Sequence, residues 1–98
     1  MMAVNLHAFA ASLPEAWRSR VLGQVGPARI KVLRMDALAY EEEIHDYNEA
    51  LLVLDGVMAL TVRGEPVNVR AGELYLVEAG TPHAVAQGSH GTLVIVDV

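Results

Sequence analysis

From Ala28 to the end of the chain, short β-rich runs follow one another with almost no room between them, and that crowding leaves few folds open. The runs are ARIKVLRMD, EALLVLDG, VMALTVRG, PVNVRAG, ELYLVEAG, HAVAQG and TLVIVDV, each stopped by Gly, Asp or another turn residue. Strands so closely spaced cannot be joined by crossover helices, so they must run antiparallel in a sandwich or barrel. Leu51 to Leu54 and Leu93 to Val96 are apolar at consecutive positions. Both faces of those strands therefore need cover. One face meets the barrel interior, and the other meets either a helical arm or a second copy of the chain.

The turns can be placed from their residues. Asp55-Gly56 lies between two apolar runs and predicts a two-residue hairpin, because a type I′ turn needs positive φ at both central positions. Arg63-Gly64-Glu65-Pro66 and Gln87-Gly88-Ser89-His90-Gly91 predict further turns. Ahead of the strands, Leu6, Phe9, Leu13 and Trp17 recur at helical spacing over residues 5–22, with Ser12 and Glu15 as a capping box and Pro14 in the first turn. Residues 1–27 are thus expected to form an N-terminal helical arm and residues 28–98 the barrel, in one domain. Leu13, Phe9 and Trp17 serve packing in this reading, as do Met35 and Met58.

Composition narrows the function. A 98-residue chain that is 53% hydrophobic has more apolar surface than a lone small barrel hides, which favours a homodimer. The net charge of −5, with seven Lys and Arg spread along the chain, argues against nucleic acid and anionic membranes as partners. Without cysteine, any metal must sit on imidazole nitrogen and carboxylate oxygen. The N-terminal MMAVNLHAFAASLPEAW lacks the basic start and apolar core of a signal peptide, and no stretch has the length of a membrane span, so a cytoplasmic location is expected.

Two segments carry the chemistry, YEEEIHDYNEALLVLDG at 40–56 and AGELYLVEAGTPHAV at 71–85. Glu43 and His45 are two apart on a predicted strand and share a face, and Glu49 follows after a bend at the start of the next strand. His83, after the Gly80-Thr81-Pro82 turn, can join them from another strand. Tyr47 offers a hydroxyl between His45 and Glu49. Glu41 and Glu42 have the wrong parity or position and are expected to face solvent, as are His7 and His90.

The order and spacing of these residues resemble the cupin superfamily, in particular its small single-domain bacterial members. Of the family's first motif, G-x5-H-x-H-x3or4-E-x6-G, the second half is present as His45, three residues, Glu49, six residues and Gly56. In the first half Glu43 stands in place of a His and Ala37 in place of a Gly. The second motif, G-x5-P-x-G-x2-H-x3-N, aligns with Gly72, Gly80 and His83, with Glu78 for the Pro and Gln87 for the Asn. The resemblance implies an antiparallel jelly-roll β-barrel whose open end holds a divalent metal on His45, Glu49 and His83. Glu43 either coordinates as a fourth ligand or turns away to leave three. The set suits Fe(II), Mn(II), Ni(II) or Zn(II) better than Cu(I), and no organic cofactor is expected. The family includes enzymes of several reaction classes, so three readings stand: a metal-dependent enzyme acting on a small molecule, a module that binds or senses a metabolite without turnover, with or without metal, or a structural domain with a degenerate site.

Overall fold

The computed structural model describes residues 3–98; Met1 and Met2, the start of the expected arm, lie outside the described residues. The strands are β1 (Arg20–Val25), β2 (Ala28–Met35), β3 (Tyr40–Glu43), β4 (Glu49–Val62), β5 (Glu65–Arg70), β6 (Leu74–Val77), β7 (His83–Val85) and β8 (His90–Asp97), preceded by one helix, α1 (Leu6–Ser12). All pairings are antiparallel, in the order β1-β2-β8-β4-β7-β3, with β5 and β6 also pairing with β4. The all-β jelly-roll architecture expected from the crowded strands is present.

β4 organises the barrel because it belongs to both layers. Its first half, from Glu49, pairs with β6 on one side and β8 on the other, whereas its second half, from Val57, pairs mainly with β5 and β7. The expected hairpin at Asp55-Gly56 does not form: β4 runs through it as one strand of 14 residues. Here the register against β8 shifts, with Val53 opposite Leu93 and Asp55 opposite Thr92, so Leu54 is an extra residue. Such a bulge reverses side-chain parity. Leu51 and Val53 face the core before it, and Met58 and Leu60 after it. Gly56 has φ 77° because continuing β4 must pass close to the backbone of β8; a Cβ on Gly56 would strike the His90 carbonyl oxygen. The positive φ that suggested a turn therefore serves a strand crossing. The two-residue hairpin lies further along, at Arg63 (φ 52°) and Gly64 (φ 80°), with Val62 paired to Glu65.

The helix is shorter than the apolar spacing predicts. Asn5, not Ser12, is the N-cap, its side chain accepting from the Ala8 N–H at 3.0 Å. Pro14 explains the early stop, since a residue before proline is driven out of the helical region, and Leu13 is extended with φ −67° and ψ 133°. Ser12, at the end of α1, donates its hydroxyl to the Phe9 carbonyl instead of opening a capping box. Residues 20–25 are not helical either. They form β1, joined to β2 through Gly26-Pro27, with Val25 paired to Ala28.

Two apolar clusters hold the structure. The inner one joins Leu33, Met35, Leu51, Val53, Met58, Leu60, Val69, Val77, Val85 and Leu93, with Trp17 packed against it. The outer one forms where Ala10 of α1 meets Val32 and Val94, with Leu6, Phe9, Leu52 and Leu54 alongside. Each fully buried aliphatic side chain stabilises the fold by roughly 1.5–3 kcal/mol. The consecutive apolar runs are thus largely explained: Leu51, Val53, Leu93 and Ile95 join the inner cluster and Leu52, Leu54 and Val94 the outer one, while Val96 stays exposed.

Candidate metal centre

Three elements bring the chemistry-bearing residues together at one end of the barrel. His45 follows the end of β3, Glu49 opens β4 and His83 opens β7, and Glu43 pairs with His83 across β3 and β7. The loops that carry them are laced by backbone bonds. Gly80 N–H donates to the His45 carbonyl at 2.7 Å, Ala79 N–H to Asn48 Oδ1 at 2.9 Å, and Arg63 N–H to the Pro82 carbonyl at 2.9 Å. Gly80 adopts φ 79° to present its N–H, which accounts for a glycine two residues before the Pro82-His83 pair.

One ligand atom each from His45, Glu49 and His83 lies within 4.8 Å of the others. His83 Nε2 is 3.4 Å from Glu49 Oε1, and His45 Nε2 is 4.0 Å from Glu49 Oε2. The His83 ring is set by its other nitrogen, which lies 2.9 Å from the Thr81 carbonyl; with Nδ1–H donating there, Nε2 keeps its lone pair for the centre. The two imidazoles meet edge to face at 5.2 Å between centroids. Tyr47 stacks on His45 at 4.9 Å with ring planes 9° apart, which fixes the imidazole from its outer side.

Glu43 is placed differently from the other three. Its carboxylate reaches His45 Nε2 at 3.2 Å but stays outside the 4.8 Å group, with its side chain 42% exposed against 11% for Glu49. Glu41, Glu42 and His90 are exposed.

The electrostatics mark Glu49. Burial first, and then the neighbouring Asp97 carboxyl, push its proton affinity above the ordinary glutamate value, while the two imidazoles act in the opposite sense. Burial, followed by the charges of Asp97, Glu49 and Glu43, also raises the Tyr47 phenol. A cavity of about 200 Å³ opens beside these groups, walled by Trp17, Tyr40, Leu33, Leu51, Val85 and Leu93 among others.

Asp97 and Lys31 are the site residues that motif spacing missed. Both line the cavity, joined by Lys31 Nζ donating to Asp97 Oδ2 at 2.9 Å. Strand parity could have found them. Lys31 shares a face with Leu33 and Met35, and Asp97 with Leu93 and Ile95, so both are polar residues in inward-facing series. Trp17, at φ 63°, donates its indole N–H to Asp36 Oδ1 at 2.8 Å and tilts against Tyr40 at 5.9 Å. Its packing role thus extends to the cavity wall.

The donor set fits a divalent ion on chemical grounds. Two imidazoles and one carboxylate offer the nitrogen and oxygen donors a divalent ion takes, and the His83 ring is held from outside by the Thr81 carbonyl. His45, Glu49 and His83 would hold the ion, with Glu43 within reach of His45 at the rim. Among the described residues, no helix is long and apolar enough to cross a membrane.

Comparison with known proteins bears on the family and the fold. Residues 33–98 match the Cupin domain family. A segment of 58 residues is 38% identical to quercetin 2,3-dioxygenase of Bacillus subtilis, covering 58% of this chain and 17% of that enzyme. The chain therefore spans a small part of that relative's length. Among solved structures, a cupin-2 domain protein from Shewanella frigidimarina superposes with TM-score 0.82 at 18% identity, covering 95% of this chain and 91% of that one. A Neisseria meningitidis protein gives TM-score 0.81 at 19% identity with 99% of each chain covered. A Thermus thermophilus protein gives 0.77 at 21% identity, covering 100% of this chain and 97% of its own. At these identities the structural matches speak for the fold alone.

Proposed function

The chain belongs to the Cupin domain family, and from that premise we propose that its barrel mouth is a divalent-metal site at which a small molecule is bound and transformed. The observation that carries this is the convergence of His45, Glu49 and His83 within 4.8 Å on the wall of a cavity. Held by His45, Glu49 and His83, a divalent ion would supply a Lewis acid beside the cavity. The chain's own residues do the rest. Thr81 holds His83, Tyr47 holds His45, and the apolar walls from Leu33, Leu51, Val85 and Leu93 exclude water from a ligand. Glu43, beside His45 and partly exposed, is placed to accept or deliver a proton at the mouth. The segment similar to quercetin 2,3-dioxygenase makes oxidation of a small molecule by dioxygen the reaction class to assay first.

The deciding experiment is metal analysis of purified protein after reconstitution with Fe(II), Mn(II), Ni(II) or Zn(II), followed by oxygen-uptake assays. About one ion per chain in the wild type, lost in His45→Ala and His83→Ala, is the expected result. Metal well below one per chain after reconstitution would remove the proposal. Ligand binding without turnover would instead identify a binding module.

A homodimer is part of the same proposal. Leu76, Ala50 and Val96 stand in one row across β6, β4 and β8, and Leu74, Leu76 and Val96 are exposed. Covering that row with a second copy would bury the chain's surplus apolar surface. Light scattering that finds a monomer at micromolar concentration would contradict it.

A further inference from the structure

Beside the three candidate ligands, the barrel interior holds a second polar device that metal binding leaves unused. Asp97 is the inward-facing residue at the end of β8, next to Glu49, since the register sets Ala50 opposite Val96. Its side chain is only 1% exposed, Oδ2 accepts from Lys31 Nζ at 2.9 Å, and Oδ1 is buried with no hydrogen-bond partner among the described residues. The nearest further cation, Arg29, stands 3.9 Å from Oδ1, too far for a hydrogen bond. A buried carboxylate oxygen without a donor is costly, so a position that keeps one is expected to meet a donor in the working state. Both Asp97 and Lys31 line the same cavity as His45, Glu49 and His83.

We propose that Asp97 and Lys31 form a subsite for a hydroxyl group of the small molecule whose other oxygen sits at the metal. The chemistry selects among ligand groups. An ammonium would meet Lys31, and a carboxylate or phosphate would meet Asp97 together with Glu43 and Glu49. A hydroxyl can donate to Asp97 Oδ1 and accept from Lys31 at a single oxygen, so it satisfies an ammonium and a carboxylate held side by side. The ligand class is therefore a small, uncharged molecule with a hydroxyl near a carbonyl or second hydroxyl, of a size that fits about 200 Å³. The inference rests on the metal reading in one respect, the second anchor of the ligand, which is the oxygen held where His45, Glu49 and His83 converge.

The test uses the full chain loaded with Mn(II) and three ketones, hydroxyacetone, methoxyacetone and acetone, with affinities read from paramagnetic relaxation of the probe protons. Hydroxyacetone is expected to bind at least tenfold more tightly than methoxyacetone, which keeps both oxygens but has no O–H. Asp97→Asn should reduce that preference below threefold while Mn(II) stoichiometry stays unchanged. Equal binding of the two ketones by the wild type, or a preference that survives Asp97→Asn, overturns the subsite. Should Asp97→Asn fail to fold, Lys31→Gln replaces it: a fall in the hydroxyacetone-to-acetone affinity ratio supports the subsite, and an unchanged ratio overturns it. A wild type that takes up no Mn(II) defeats the metal reading alone. The ketones are then titrated into metal-free protein, where amide shifts at Lys31 and Asp97 selective for hydroxyacetone support the subsite, and equal or absent shifts overturn it.

Discussion

The two ends of the first half of β4 treat polar groups in opposite ways. At the Asp55–Gly56 crossing, Asp55 Oδ1 accepts from the Thr92 N–H at 2.7 Å, and Gly56 faces Gly91 with no room for a side chain on either. At the Glu49 end, carboxylates and imidazoles lie together with longer, incomplete contacts, and Asp97 Oδ1 has no hydrogen-bond partner among the described residues. The crossing is satisfied and fixed; the mouth holds unmet demand. Side chains at the first serve the shape of the barrel, and those at the second are available to an ion and a ligand.

The largest effect should come from breaking the fixed end. Gly56→Ala forces a Cβ into the His90 backbone carbonyl at a φ of 77°, and that carbonyl, unlike a side-chain tip, cannot swing aside. A loss of about 3 kcal/mol or more is expected, read as a lower urea midpoint. The same change at Gly64, where the space is open, should cost only the strain of positive φ, about 1 kcal/mol. Equal losses at the two glycines would contradict the crossing.

At the open end the expected effect appears only with metal. An ion at a hundred times its dissociation constant should stabilise the wild type by about 2.7 kcal/mol, and His83→Ala should abolish that gain in thermal melts. Glu43→Gln should retain most of it, because Glu43 lies outside the close group of donors. If Glu43→Gln loses the gain as completely as His83→Ala, then Glu43 is a full ligand and the mouth closes around four residues.

A smaller effect lies between the two ends, on the cavity wall. Trp17→Phe removes the indole N–H that reaches Asp36 at 2.8 Å while keeping an aromatic ring against the inner cluster. A loss of about 1 kcal/mol is expected by urea unfolding, with metal uptake unchanged.

This contrast also explains what could be read from the sequence. Strand count, the inward apolar series and the spacing of His45, Glu49 and His83 are local patterns, and they carried the fold and brought attention to the residues at the mouth. Asp55-Gly56 misled because a glycine with positive φ serves a hairpin and a strand crossing equally well, and only the partner on β8 decides between them. The helix was overextended because Leu13 and Trp17 keep helical spacing past Pro14, whose effect on Leu13 outweighs the periodicity. Asp97 and Lys31 were missed since they are 66 positions apart and belong to no motif. Their pairing follows from the β2–β8 register, which sequence alone does not supply.

The smallest predicted effect separates the two ends by sign. Asp55 and Glu49 are carboxylates on one strand whose proton affinities move in opposite directions. The Thr92 hydrogen bonds hold Asp55 below the ordinary aspartate range, whereas burial and then Asp97 hold Glu49 above the ordinary glutamate range. For Asp55 the folded state prefers the charged form, so its contribution to stability is present above the unfolded value of about 3.9 and is lost as pH falls through the folded value. For Glu49 the folded state prefers the proton. Its contribution is complete below the unfolded value of about 4.3 and is lost as pH rises through the folded value. Urea unfolding of metal-free wild type, Asp55→Asn and Glu49→Gln from acidic to neutral pH should therefore show opposite slopes. The wild type's advantage over Asp55→Asn grows with pH, and its advantage over Glu49→Gln shrinks. Because the Asp55 side chain is 54% exposed, its slope should be shallow and should flatten further in salt, while that of the buried Glu49 should persist. Parallel slopes would mean that the two ends of β4 are electrostatically alike, and the division between a satisfied crossing and a demanding mouth would fail.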